Sequence, residues 1–321
     1  MDDRRSFLRL GASASAAALA TAFPVAAEAA TNAACAPTSV YDGIVGRGYA
    51  RGPYGLVHFQ DAGGLVKPRA GERPLVLMHQ SPSSSRQFEA AFKPLVAHGI
   101  RFVAIDSPGF GFSDPTPTIP KVGDWASSIV AVLDHLGLDQ VDVLGHHTGT
   151  LVATEVALQS PRRVRRIILN GPFPLNEAER ARYIEGSKLV NAQGKPQLDG
   201  SHLLSSFETR LRMYGPDPDA EVITRGVAQK YQALGPFWWG HYAAYRYDHA
   251  ATLLRLTQPA LILTNTGDDI YELAQRARRI RPDFPYVELQ GGTHDIVDQQ
   301  PEAWSDAVVG YLRKDDPRAM P

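Results

Sequence analysis

Gly145-His146-His147-Thr148-Gly149 is the stretch whose reading decides the fold of this 321-residue chain. Just before it, Val141-Asp142-Val143-Leu144 is a short β-branched and apolar run, and residues 151–158 after it carry apolar side chains at helix-compatible spacing. The five residues therefore read as a strand-to-helix turn. Glycines at both ends keep Cβ atoms out of a cramped bend, so residue 147 is free to take a strained backbone conformation and project its side chain. The residue so presented is a histidine.

Outward from this turn, buried-strand runs recur at Leu75-Val76-Leu77-Met78, Phe102-Val103-Ala104-Ile105, Ile167-Ile168-Leu169 and Ala260-Leu261-Ile262-Leu263, with Val287-Glu288-Leu289 as the last. Helical stretches separate them. That alternation predicts an α/β fold with a mainly parallel, doubly wound sheet covered on both faces. Residues 44–49 and 56–60 predict an antiparallel pair joined by a turn at Arg51-Gly52-Pro53-Tyr54-Gly55. Residues 172–256 give no strand signal and read as an inserted helical cap, roofing the carboxyl ends of the strands where open α/β sheets bind ligands. The predicted division is a signal segment (1–29), a linker (30–43), a first core part (44–171), the cap (172–256) and a second core part (257–321). In the cap, Trp238 or Trp239 is expected to be mostly structural, and Tyr242 or Tyr245 to face a pocket.

With 44% hydrophobic and 21% charged residues, the chain suits one globular domain with an insertion. A formal net charge of -1 gives no reason to expect nucleic acid or an anionic membrane as partner. Arg162-Arg163-Val164-Arg165-Arg166 reads as a solvated helix end. Cys35 is the only cysteine, which excludes an internal disulfide. Asp3-Arg4-Arg5-Ser6-Phe7-Leu8-Arg9, followed by an Ala-rich run over residues 11–22, resembles a twin-arginine export signal with cleavage after Ala29. The twin-arginine translocase is then an expected partner during export to the periplasm or beyond. Pro24 cuts the apolar run short of the roughly 20 residues a membrane span needs, so no stable membrane association is expected after cleavage.

Together these elements resemble the α/β-hydrolase superfamily, particularly its cap-bearing epoxide hydrolase and haloalkane dehalogenase-like branch, over residues 44–313. His79-Gln80-Ser81-Pro82-Ser83-Ser84-Ser85 is similar to that branch's His-Gly-x-Pro-x-Ser-Ser oxyanion loop. Asp106-Ser107-Pro108-Gly109-Phe110-Gly111-Phe112-Ser113-Asp114 is similar to its Asp-x-Pro-Gly-x-Gly-x-Ser segment. The resemblance makes residues 145–149 the nucleophile elbow, usually Gly-x-Ser-x-Gly, with His147 in the nucleophile's place. It implies Asp268 as the acid. Asp269 is the competitor should the turn shift by one residue, because Asn265 stands where the family usually has glycine and Gly267 follows two positions later. His294, in Gly291-Gly292-Thr293-His294, is implied as the catalytic histidine. The backbone N–H groups of Gln80 and Thr148 are the implied oxyanion donors, with Gln80 replacing the usual glycine, and His146 is a further pocket candidate.

A histidine at the elbow leaves several chemistries open. Neutral imidazole, with an ordinary pKa of about 6.5, can attack an activated acyl group through nitrogen, after which water activated by His294 and oriented by Asp268 releases the acid. Alternatively, His147 and His294 deprotonate a water together, with each oxyanion donor contributing about 3 kcal/mol. In a third route the two imidazoles act as acid and base in a lyase or other proton transfer without water. A non-catalytic small-molecule binder is the remaining alternative. The reading favours an exported enzyme hydrolysing a small, largely apolar ester, lactone or related acyl compound, with no cofactor. No metal is expected, since the histidine spacing matches no zinc pattern.

Overall fold

The computed structural model describes residues 45–315. The expected export signal, the linker and Cys35 lie outside the described residues. The chain enters as two antiparallel strands, β1 (Gly46–Gly52) and β2 (Gly55–Asp61), paired from Gly46↔Asp61 to Gly52↔Gly55. Their turn is tighter than the expected five residues. Gly55 adopts φ +131°, a conformation that lets only Pro53 and Tyr54 bridge the strands.

Six further strands follow: β3 (Leu75–Met78), β4 (Phe102–Ile105), β5 (Val141–His146), β6 (Val164–Asn170), β7 (Ala260–Asn265) and β8 (Tyr286–Leu289). The sheet order is β1-β2-β4-β3-β5-β6-β7-β8, and β3 to β8 run parallel. Because the central strands are covered on both faces, alternate residues feed two separate cores. Val76 and Met78 pack with Trp125, Ile129 and Val152, whereas Leu75 and Leu77 pack with Phe92, Leu95 and Trp304. Helices α1 (Glu89–Ala97), α2 (Val122–His135) and α3 (Thr148–Gln159) supply part of these layers.

Between β6 and β7 the chain forms α4 (Glu177–Gln193), α5 (Ser201–Tyr214), α6 (Ala220–Gln232), α7 (Trp239–Arg246) and α8 (His249–Leu253), with no strand. Capping fixes where two of these begin. Asn176 and Glu179 exchange side-chain and backbone hydrogen bonds at α4, and Asp219 accepts from Glu221 and Val222 N–H at α6. The helices are tied to the core loops at several points. A Cβ at Gly240 of α7 would lie 2.5 Å from Ser81 Cβ, and Ser83 Oγ donates to Gln229 Oε1 of α6 at 2.6 Å. The fold closes with α9 (Tyr271–Ile280), α10 (Ile296–Gln299) and α11 (Pro301–Leu312). Among the described residues no helix is long and apolar enough to cross a membrane.

Candidate active site

The chain must pass from β5 into α3 within one residue. His147 takes φ 48°, ψ -112°, a strained conformation that typically costs about 1–3 kcal/mol. Its flanking glycines are obligatory: a Cβ at Gly145 would lie 2.0 Å from Gly149 O, and one at Gly149 would lie 2.0 Å from Met78 O. A third glycine serves the histidine itself. At Gly171, where φ is +64°, a Cβ would sit 2.5 Å from His147 Cδ2 and 2.8 Å from its Nε2. The imidazole fills the space that any side chain at 171 would need.

His147 Nε2 donates to Asp268 Oδ2 at 2.7 Å, and both side chains are buried. The other Asp268 oxygen accepts from Ile270 N–H at 3.1 Å. His294 Nδ1 faces Asp269 Oδ1 at 3.4 Å, and its ring meets the His147 ring edge-on, with centroids 4.4 Å apart. The expectation that Asp268 orients His294 is therefore corrected: each histidine has its own carboxylate. A serine hydroxyl is short and would leave Asp268 free to reach the distant histidine, but an imidazole at 147 spans that gap. The acid turn lies directly against the His294 loop, since a Cβ at Gly267 would be 2.1 Å from Gly292 O. In that turn the next residue, Asp269, faces His294.

These pairings push the two imidazoles apart in acidity. Burial alone would lower the His147 pKa, but the charge and hydrogen bond of Asp268 outweigh it and raise the value. For His294, burial and repulsion from His147 outweigh the help of Asp269, and its pKa is lowered. The hydrogen bond from His294 holds Asp269 well below the usual carboxylate range. The site thus sets two imidazoles of opposite shift side by side, the arrangement that divides acid and base roles.

Other expected residues take different places. His146 is buried behind His147, with ring centroids 4.3 Å apart, and does not line the cavity. Burial and the charge of His147 keep it neutral. Its Nδ1 accepts from Gln87 Nε2, while Gln87 Oε1 accepts the Gln80 N–H at 2.8 Å. The Gln80 N–H is therefore already engaged rather than open to an oxyanion, because the 3-10 turn Ser85–Phe88 folds Gln87 inward. Thr148 N–H, the first of α3, has no acceptor among the described residues and sits at the cavity floor. Tyr242 is also corrected. His241 and Tyr245, one helical turn apart, line the cavity with rings stacked at 5.7 Å. Tyr242 lies about 100° around α7 from His241 and carries the Arg246 guanidinium over its ring at 5.1 Å.

The cavity is about 280 Å³, floored by His147, Thr148 and His294 and walled by cap residues including Arg210, Lys230 and Tyr245. No signal in the sequence pointed to Gln87, Arg210 or Lys230. Gly171, directly after a strand, was visible there as a turn signal, but its tie to His147 needs the ring's direction.

Two side-chain groups bring potential metal-ligating atoms within 4.8 Å of one another: His146, His147 and Asp268, and Asp268, Asp269 and His294. In the first, His146 Nδ1 is bonded to Gln87 and its buried Nε2 has no partner among the described residues, while the 2.7 Å between His147 and Asp268 is that of a charge-assisted hydrogen bond.

Residues 73–298 match the family described as alpha/beta hydrolase fold. A 2-hydroxy-6-oxononadienedioate/2-hydroxy-6-oxononatrienedioate hydrolase of Pseudomonas putida is 35% identical over 119 residues, covering 36% of this chain and 40% of that one. Similar hydrolases are likewise matched over about two fifths of their length. The 2-(acetamidomethylene)succinate hydrolase of Mesorhizobium japonicum is 26% identical over 259 residues, covering 75% of this chain and 89% of that one. The crystal structure of a hydrolase from Pseudomonas aeruginosa PA01 shares the fold, with a TM-score of 0.70 at 19% identity over 84% of this chain and 98% of that one. The elbow, the sheet order and these matches agree: the chain belongs to the alpha/beta hydrolase fold family, and hydrolases are among its relatives.

Proposed function

We propose that this is an exported hydrolase of the cap-bearing epoxide hydrolase and haloalkane dehalogenase-like branch, acting on a small, largely apolar ester, lactone or related acyl compound through two histidines. The observation that carries the reading is the 2.7 Å bond from His147 to Asp268 beside the His294 ring at 4.4 Å. Neutral His294, held by Asp269, takes a proton from water as the water oxygen bonds to the substrate carbonyl carbon. Thr148 N–H and the imidazolium charge of His147 stabilise the oxyanion. As the carbon–oxygen bond to the leaving group breaks, His147 gives that group a proton from Nδ1. Transfer of the proton from His294 to His147 resets the site. Asp268 raises the His147 pKa, and an imidazole that carries a proton on both nitrogens has no lone pair to attack with, which favours this water route over an acyl-imidazole.

The offset imidazoles also suit a second reading, a proton-transfer lyase that uses no water. Turnover in oxygen-18 water separates the two, because hydrolysis places label in the acid product and the lyase route does not. Intact-mass spectra after rapid quenching should show no acyl adduct, and one on His147 would overturn the water route. His147→Gln and His294→Gln should each lower kcat by about 10²–10⁴-fold. Export predicts that protein recovered from a periplasmic fraction begins at Ala30; an intact amino terminus there would count against it.

A further inference from the structure

We propose that Lys230 anchors a carboxylate at the far end of the substrate, so that the cavity takes acyl compounds with an apolar body and an acid terminus, such as hemiesters of dicarboxylic acids. This inference rests on the hydrolytic reading above. Among the charged side chains that line the cavity, Arg210 is paired with Asp295, and Asp269 faces His294. Lys230 has no carboxylate partner among the described residues. Its ammonium is nevertheless held in a defined place. Nζ donates to Ser206 Oγ at 2.8 Å, and Tyr231 OH, bonded to that same Oγ, donates to Gly194 O at 3.0 Å. The Phe237 ring centroid lies 4.3 Å from Nζ, and a Cβ at Gly194 would come within 2.7 Å of it.

A lysine on an open helix face would extend into water. This one is turned into a niche where a side chain at Gly194 would displace the ammonium. Of its three N–H donors, one is used by Ser206. Burial with no neighbouring acid to offset it lowers the Lys230 pKa to about 8. A ligand carboxylate would supply both the missing acceptor and the missing charge. Because the niche is built from α4, α5 and α6 while the histidines stand at the floor, the acid end would lie against the helical insertion and the scissile carbonyl over His147.

The test pairs two esters of the same leaving group: mono-4-nitrophenyl glutarate, which carries a free carboxylate, and its methyl-capped neutral counterpart. Wild type should prefer the acid ester. Lys230→Met, which keeps the packing against Phe237, should lower the acid-to-neutral ratio of kcat/KM by about 10–100-fold through KM, as expected for loss of one charge pair. Lys230→Arg should recover part of the ratio. Calorimetry with glutarate and the mature protein reads the same site without turnover, and Lys230→Met should weaken that binding at least as much. An unchanged ratio in Lys230→Met, or glutarate binding unaffected by it, would overturn the proposal. If neither ester is turned over, the hydrolytic reading fails, while glutarate binding still decides the role of Lys230.

Discussion

Replacing Asp268 with asparagine tests which histidine owns that carboxylate. Asp268 Oδ2 lies 2.7 Å from His147 Nε2 in a buried setting. At that separation, with an effective dielectric of about 20, the attraction is about 6 kcal/mol before the cost of burial. Removing one partner of such a pair typically costs about 3–5 kcal/mol. For a domain of this size that corresponds to a fall in Tm of roughly 5–9 °C. The sign of its pH dependence follows from the shift. Because folding raises the His147 pKa above its unfolded value of about 6.5, the stabilisation is complete below that pH and fades as pH rises through the folded value. The gap in Tm between wild type and Asp268→Asn should therefore narrow in alkaline buffer. Nitrogen-15 histidine spectra over a pH series give the direct assay. In Asp268→Asn the His147 midpoint should fall, since the carboxylate that raises it is gone. The His294 midpoint should rise, since the charge of His147 that depresses it is gone. Asp269→Asn should instead lower His294. If Asp268→Asn lowers His294 and leaves His147 unmoved, the assignment of carboxylates is refuted.

Three further predictions concern Gly171, a control at Gly310 and a chelator. Gly171→Ala places a Cβ 2.5 Å from His147 Cδ2 at a residue with φ +64°. The backbone cost is about 1–2 kcal/mol, and displacing the ring should lower kcat by about 10²-fold. Gly310→Ala, at an exposed α11 position with nothing within 4 Å, should by contrast raise Tm slightly. A normal rate in Gly171→Ala would show that His147 has room to spare. Dialysis against a chelator should leave turnover unchanged, because His147 is bonded to Asp268 and His294 faces Asp269. Lost activity that zinc restores would instead make His147, Asp268, Asp269 and His294 metal ligands.

The sheet was legible because parallel strands buried on both faces must be continuous apolar runs, as Leu75-Val76-Leu77-Met78 and Ala260-Leu261-Ile262-Leu263 are. The elbow was legible because only glycine fits at 145 and 149. What stayed hidden depends on side-chain direction. Tyr242, His241 and Tyr245 are equally aromatic in the sequence, yet a 100° rotation per residue separates the cavity face from the outer face of α7. The pairing of acids with histidines depends on one residue of register in the turn after β7. Gly267 hinted at a shift there, but only the contact with Gly292 shows where it falls. Gln87 carried no sequence signal, since its role as a bridge between Gln80 and His146 exists only once the 3-10 turn brings it inward.

We propose that His147 is part of working chemistry rather than a lost nucleophile. A histidine that merely replaced a serine would bring a bulky, titratable ring into a closed space with nothing arranged to receive it. Here a glycine at 171 supplies the space, Asp268 supplies the counter-charge, and Asp269 supplies a separate partner for His294. A small apolar residue at 147 would leave the cavity open and avoid burying an imidazolium, which is costly without a partner. The strained backbone points the same way, because a conformation at φ 48° persists only where packing enforces it, and such strain gathers at functional sites. Strain, an enclosed charge pair and a second imidazole of opposite shift meet at the one place where the strands' carboxyl ends face the cavity. That combination is what proton transfer to and from a bound acyl compound requires.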